Sequence, residues 1–387
     1  MIRSFLFAAR LAWRQLLADK AKLSAAIMGV LFACLLVFMQ LGFRDSLSTS
    51  AASAPIKMQA DIFLMHKQTE AMWRPVQFSR SLLMRALGHE DVASVHPLYM
   101  GLAAFKNIDT RQKRTLMIYA FDPDAKLMNL PEVIAQAEVL KLKDRVLFDR
   151  ASRPEFGPVA DQLAAGRNVT EINNYKVTIA GTYLMGTSFA ADGNVITSDQ
   201  NFMRIFKGRS LEEIDLGFVR VRDPAKIPQV QADLQAMLGD EVMVLTYPEL
   251  IAFEQAYWEN SAPIGFIFGM GVIMGLVVGM VIVYQILFTD ISNNLSQFAT
   301  LKAMGYTQGY LIKVVFASAA YLAVLGFVPG FALSLYLYDL AEKNIFIPFP
   351  MPLSKILMVF SLILGMCFAA GTLAIRKLKS ANPADMF

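Results

Sequence analysis

Four apolar runs, at residues 23–43, 264–288, 314–337 and 356–375, divide the chain, and none has a charged residue in its central part. A run of about 20 apolar residues crosses about 30 Å of hydrocarbon at about 1.5 Å per residue, so each predicts a membrane-spanning helix. Ahead of the first, residues 1–22 predict a helix with two faces. Arg3, Arg10 and Arg14 share one side, while Phe5, Leu6, Trp13, Leu16 and Leu17 gather on the other. That is the pattern of a helix anchored in a membrane surface. A signal peptide also begins with a basic stretch before an apolar one. Here the apolar run is too long, and no small-residue cleavage site follows Phe43, so the first run is expected to remain as a span.

Between the second and third runs lies a polar island, residues 289–313. Ile291, Leu295, Phe298 and Leu301 recur at helical spacing and make one apolar stripe. Asp290, Asn293, Asn294, Gln297 and Lys302 take much of the remaining surface. Gly305 suits a C-cap, and Thr307 suits the start of the next helix. The spacing fits a short amphipathic helix at the membrane face, and equally an interhelical loop with a little helix in it. The second run carries Gly271, Gly275 and Gly279 in register. This spacing opens a groove in which another helix approaches closely, either in a dimer or from a neighbouring span. Residues 338–355, with Pro348, Pro350 and Pro352, predict a short external loop. Arg376 and Lys377 stop the fourth span and open a tail at residues 376–387.

Residues 44–261 follow a different rhythm, with short β-rich runs between amphipathic stretches. A strand at 60–65, a helix at 78–87 and a strand at 92–105 form one half-unit. A strand at 216–221, a helix at 228–238 and a strand at 241–247 form a second. The pair predicts a split α/β lobe, residues 44–108 and 216–248, with another lobe inserted at 109–215. Strand candidates in the insertion lie at 116–121, 146–149, 175–184 and 195–197. Residues 249–260 run helically towards the second span, with Trp258 placed as an interfacial anchor. Residues 44–55 predict a matching stalk above the first. The expected fold is an α-helical membrane protein with four transmembrane helices plus a large α/β extracytoplasmic domain of two lobes.

Composition supports this division. With 55% hydrophobic residues and a mean hydropathy of +0.43, the 387-residue chain is too apolar for a soluble protein and too mixed for a bare bundle. Residues 1–22 carry five basic side chains against one acidic, residues 44–263 carry 24 against 27, and residues 376–387 carry three against one. Basic ends around a mildly acidic middle are a topology signal, not a nucleic-acid signal. They predict cytoplasmic termini, with residues 44–261 outside. Cys34 and Cys367 both fall in spans, so no disulfide or cysteine-ligated metal is expected in the large polar region.

Catalytic patterns are missing from the sequence. It has no P-loop and no HExxH, and His66, His89 and His96 are scattered. Ser188 has no histidine close to it in sequence, and Asp192-Gly193 predicts a tight turn. We therefore nominate no catalytic, cofactor-binding or metal-binding residue. A polar solute crossing the bilayer needs polar or ionisable groups along its route, and these spans offer none at their centres, as suits helices that transmit motion.

The run Phe298-Ala299-Thr300-Leu301-Lys302-Ala303-Met304-Gly305 resembles the coupling segment of the FtsX/MacB superfamily of ABC-transporter permeases. Four further motifs resemble its DevC branch. They are Phe38-Met39-Gln40-Leu41-Gly42-Phe43, Ser188-Phe189-Ala190-Ala191-Asp192-Gly193-Asn194, Val283-Tyr284-Gln285-Ile286-Leu287 and Asn382-Pro383-Ala384-Asp385-Met386-Phe387. One departure is Gln297, where the family usually carries a glutamate. The resemblance implies an efflux permease of the bacterial inner membrane that works as a homodimer by mechanotransmission. Ile291, Leu295, Gln297, Phe298, Leu301, Lys302, Met304 and Gly305 would contact a separate cytoplasmic ATPase, which holds the ATP and Mg. A periplasmic membrane-fusion adaptor and, through it, a TolC-like outer-membrane channel would complete the path for an amphiphilic, glycolipid-like cargo. A lipoprotein-extracting permease and an FtsX-type regulator are alternatives within the superfamily. A membrane-bound sensor lacks a cytoplasmic output module here, and a membrane enzyme lacks a catalytic set.

Overall fold

The computed structural model describes residues 2–188, 190–258, 263–294, 304 and 308–380. The chain forms two compact units: Met1–Asp45, Ile264–Glu342 and Phe349–Phe387 in one, Ser46–Pro263 and Lys343–Pro348 in the other. In chain order the helices are α1 (Ile2–Ala18), α2 (Lys20–Ala51), α3 (Arg80–Arg85), α4 (Pro131–Ala135), α5 (Ala137–Leu140) and α6 (Val159–Ala164). They continue with α7 (Asp199–Ile205), α8 (Ile227–Leu238), α9 (Tyr247–Ala256), α10 (Pro263–Asn293), α11 (Gln308–Ile345) and α12 (Leu353–Ser380). The strands are β1 (Ile62–His66), β2 (Phe78–Ser79), β3 (Val92–Lys106), β4 (Lys113–Phe121), β5 (Arg145–Asp149) and β6 (Val169–Ile172). After them come β7 (Tyr175–Tyr183), β8 (Asn194–Ser198), β9 (Glu213–Ile214), β10 (Leu216–Val221) and β11 (Val242–Thr246).

In the helix unit, α2, α10, α11 and α12 are each long and apolar enough to cross a membrane. Asp19 separates α1 from α2 by capping the latter, accepting from the Lys22 amide at 3.1 Å. Hydropathy locates the apolar stretch of a helix but not its ends. The third span's helix does not stop at residue 337; it continues through Asp339, Glu342 and Lys343 to Ile345. The connection expected at 338–355 is accordingly helical over its first part, and the few residues between α11 and α12 join the two helices.

The α/β unit is built on a sheet of order β11-β1-β10-β3-β4-β8-β5-β7-β6. Its first four strands, with α3 and α8 in the two crossovers, make the split βαβ arrangement expected. Strand β1 shows why its sequence reads as an unbroken apolar run. Ile62 and Leu64 face one core cluster, Phe63 and Met65 face the other, and all four are buried.

The two lobes do not part at residue 108. Strand β3 pairs with β10 through Leu98 and with β4 from Tyr99 onward, so one 15-residue strand belongs to both. The insertion also holds β6, which the hydrophobic pattern did not predict because Val169–Ile172 alternates over only four residues. Strand β6 pairs with β7 on one side and returns to β3 on the other, at Phe105 and Lys106. The ring β3-β4-β8-β5-β7-β6 thereby closes on itself as a small barrel.

Candidate functional site

In the helix unit, side-chain size along α2 decides what approaches it. On one side a Cβ on Gly271, Gly275 or Gly279 of α10 would stand 2.3, 3.2 and 2.5 Å from Gln40, Leu36 and Ala33. Gly29 of α2 returns the relation, facing Ile282. The groove nominated from spacing is thus occupied by α2 of the same chain. On another side a Cβ on Gly326 or Gly330 of α11 would lie 2.4 Å from Val30 and 2.9 Å from Cys34. This second seam was missed, although Gly326-xxx-Gly330 has the same small-xxx-small spacing. The contacts run antiparallel along α10 and parallel along α11, so α2 is clasped between two glycine-edged helices.

The motif Phe38-Met39-Gln40-Leu41-Gly42-Phe43 gains a reason from this packing. Phe38 is fully buried beside Phe327 and Phe331, with ring centroids 6.0 and 5.8 Å away, and its carbonyl accepts from the Tyr338 hydroxyl. Gly42 makes room for that tyrosine; a Cβ there would lie 2.3 Å from its oxygen. Phe43 stacks on Phe268 and meets Phe349 edge-on.

Of the nominated coupling residues, Leu295, Gln297, Phe298, Leu301, Lys302 and Gly305 lie outside the described residues. Ile291 is 4% exposed and extends a buried α10 row through Val283 and Leu287. Its side chain therefore packs within the helix unit instead of lying free for a partner. Met304 is exposed. Helix α1 sits against the start of α11, next to this segment in the chain. Ala8 and Ala12 pack with Tyr310, Val314 and Ala317, and Trp13 meets Tyr321 at 5.2 Å between centroids. The buried face of α1 is consequently Ala8, Ala12 and Leu16, with Phe7, Trp13 and Leu17 more exposed. Arg10 and Arg14 are exposed, and the Arg3 side chain lies outside the described residues.

In the α/β unit, Asp149 holds the residues that lead towards Ser188. This fully buried carboxylate accepts from the amides of Ala151, Met185 and Gly186 and from Asn194 Nδ2, all at 2.9–3.0 Å. Asp192 is held by Arg153 at 3.0 Å. The expected tight turn at Asp192-Gly193 is not formed: Gly193 leads directly into β8 with no positive φ. Its requirement is steric, since a Cβ there would come within 2.5 Å of Ser152 Oγ. Gly186, at φ +107°, takes the left-handed conformation instead.

Ser188 and Ala190 line a cavity of about 30 Å³ together with Met72, Trp73, Tyr119 and Glu254. Such a volume suits a single water and is far below that of a lipid-like cargo. Glu254 is 3% exposed and accepts from the Met72 amide. Burial pushes its carboxyl up to about 7. Among the described residues no histidine lines this cavity, and Glu254, the carboxyl that does, bonds to the Met72 amide and not to Ser188.

The seam helices α10 to α12 are also where the chain is similar to a known family. Residues 269–383 match the family described as FtsX-like permease C-terminal. The family resemblance drawn from residues 298–305 and this match fall on the same part of the chain, residues 269–383. Among solved structures, the periplasmic region of MacB from Actinobacillus actinomycetemcomitans is 12% identical, covering 53% of this chain and 95% of that one at a TM-score of 0.34. The extracellular domain of the noncanonic ABC-type transporter YknZ from Gram-positive bacteria is 10% identical, covering 48% and 99% at a TM-score of 0.33. No curated protein matches the chain.

Proposed function

We propose that this permease is the membrane subunit of an ATP-driven efflux complex of the DevC type, and that it works by mechanotransmission. The observation that carries the reading is the state of α2. It is one unbroken helix from Lys20 to Ala51, clasped by glycine seams, in a unit whose spans have no charge at their centres. Such a helix is suited to passing movement along its axis and poorly suited to lining a polar route. The permease would sit in the inner membrane as a homodimer, termini in the cytoplasm and the α/β unit in the periplasm. A cytoplasmic ATPase, holding ATP and Mg, would drive the coupling segment. A periplasmic membrane-fusion adaptor and a TolC-like channel would carry an amphiphilic, glycolipid-like cargo onward.

Exchanging Phe298 and Leu301 for aspartate tests the assignment. Loss of these two apolar contacts, each worth about 1.5–3 kcal/mol when well buried, is expected to release the ATPase from the tagged permease while the α/β unit stays folded. Undiminished co-purification of the ATPase with normal transport would sink the coupling role.

A further inference from the structure

The spans are uncharged at their centres, yet among the described residues of the helix unit a lysine ammonium is buried. Lys355, in the first turn of α12, is 4% exposed. Its Nζ lies 2.9 Å from Asp45 Oδ2 on α2, donates to the Pro350 carbonyl at 2.8 Å, and stands 5.5 Å over the Tyr338 ring of α11. Asp45 is also held by its neighbour Arg44, with Nε at 3.2 Å and Nη2 at 3.1 Å. Tyr338 closes the circuit by donating to the Phe38 carbonyl of α2. Three helices thus meet at one cation.

Stability alone does not account for this arrangement. A buried ion pair often contributes little beyond what apolar groups of the same size would contribute, because both charges lose their hydration. What the pair supplies is register. Glycine seams let helices approach closely but have few features that oppose axial sliding, whereas the 2.9 Å contact of Lys355 with Asp45 survives only a limited axial offset. We propose that Asp45 and Lys355 form an ionic lock that fixes the axial register of α2 against α11 and α12, and that movement passes along α2 only while the lock is closed. The second half of this statement rests on the function proposed above; the first half does not.

The decisive variant is Asp45→Asn with Lys355→Met, which removes both charges together and leaves no buried ion unpaired. Register is read by oxidative cross-linking of native Cys34 to Gly330→Cys on a Cys367→Ala background. Cross-linking is expected to be strong with the native pair and about five-fold weaker in the double variant, at unchanged membrane yield. Equal cross-linking in the double variant would overturn the lock. Coupling is read separately, in complex with the ATPase, by maleimide labelling of Ser188→Cys on a background without Cys34 and Cys367. ATP with vanadate should change the labelling rate at least about five-fold with the native pair and leave the double variant unresponsive. A response that persists in the double variant overturns the coupling half. No ATPase bound to the native permease overturns the proposed function and leaves the lock to be judged on cross-linking.

Discussion

The helix unit and the α/β unit join their elements by opposite means. In the first, close approach is made by leaving atoms out: Gly279 accepts Ala33, and Gly326 accepts Val30. In the second, distant segments are tied by polar groups, as Asp149 ties β5 to Met185 and Gly186 in the loop before β8 and to Asn194 at the start of β8. Apolar lipid offers no hydrophobic drive between helices, so close packing has to supply the attraction. In water-facing structure a buried carboxylate is tolerable once its acceptor sites are filled. Glu254 shows the intermediate case, buried like Asp149 but with one backbone amide donating to it.

Breaking the polar side of this comparison should have the largest effect. Asp149→Ala leaves three amides without their acceptor and leaves the Asn194 side chain with the Gly186 carbonyl alone. It is expected to cost about 3 kcal/mol or more, seen as a lowered denaturation midpoint of the 387-residue chain by tryptophan fluorescence. A loss below about 1 kcal/mol would mean that water replaces the carboxylate freely.

Glu254 sharpens the contrast through pH. Its folded value of about 7 lies above the usual 4.5, so the folded state favours the protonated form. That stabilisation is complete below pH 4.5 and is lost as pH rises through 7. Glu254→Gln should therefore flatten the profile and raise stability at pH 8 by on the order of 2 kcal/mol, with little effect at pH 4.5. An unchanged slope between these values would show that the carboxylate finds its own partners when ionised.

The apolar side is tested by one substitution at two glycines. Gly326→Leu forces side-chain atoms into Val30 and is expected to cost about 1–3 kcal/mol, lowering the melting temperature in detergent. At Gly269 a Cβ would have nothing within 4 Å, and Gly269→Leu should stay within about 0.5 kcal/mol of the parent. Equal losses at both would remove the distinction between seam and open face.

How far the sequence reaches follows the same line. Regular repetition was readable: the apolar runs became α2, α10, α11 and α12, and the flanking half-units became β1-α3-β3 and β10-α8-β11. Pairings between remote residues were not. Lys355 looks like an ordinary charge just outside a span until α2 brings Asp45 to it, 310 positions earlier in the chain. Gly193 reads as a turn residue because Asp-Gly favours turns, but Ser152 decides its role. The Gly326 seam was within reach, since its spacing repeats that of Gly271 and Gly275. Ile291 continues both the island's stripe and the α10 row, and periodicity alone does not say which surface claims it.

The shared strand β3 has a consequence for modularity. Its first half completes one lobe and its second half begins the barrel, so the insertion is not a cassette that can be lifted out. Excising residues 109–215 would strip Tyr99–Lys106 of the partners they find in β4 and β6. A long unpaired edge of that kind invites association with other chains. Grafts between this chain and others of the same fold should accordingly exchange both lobes together, with the joins placed outside the sheet.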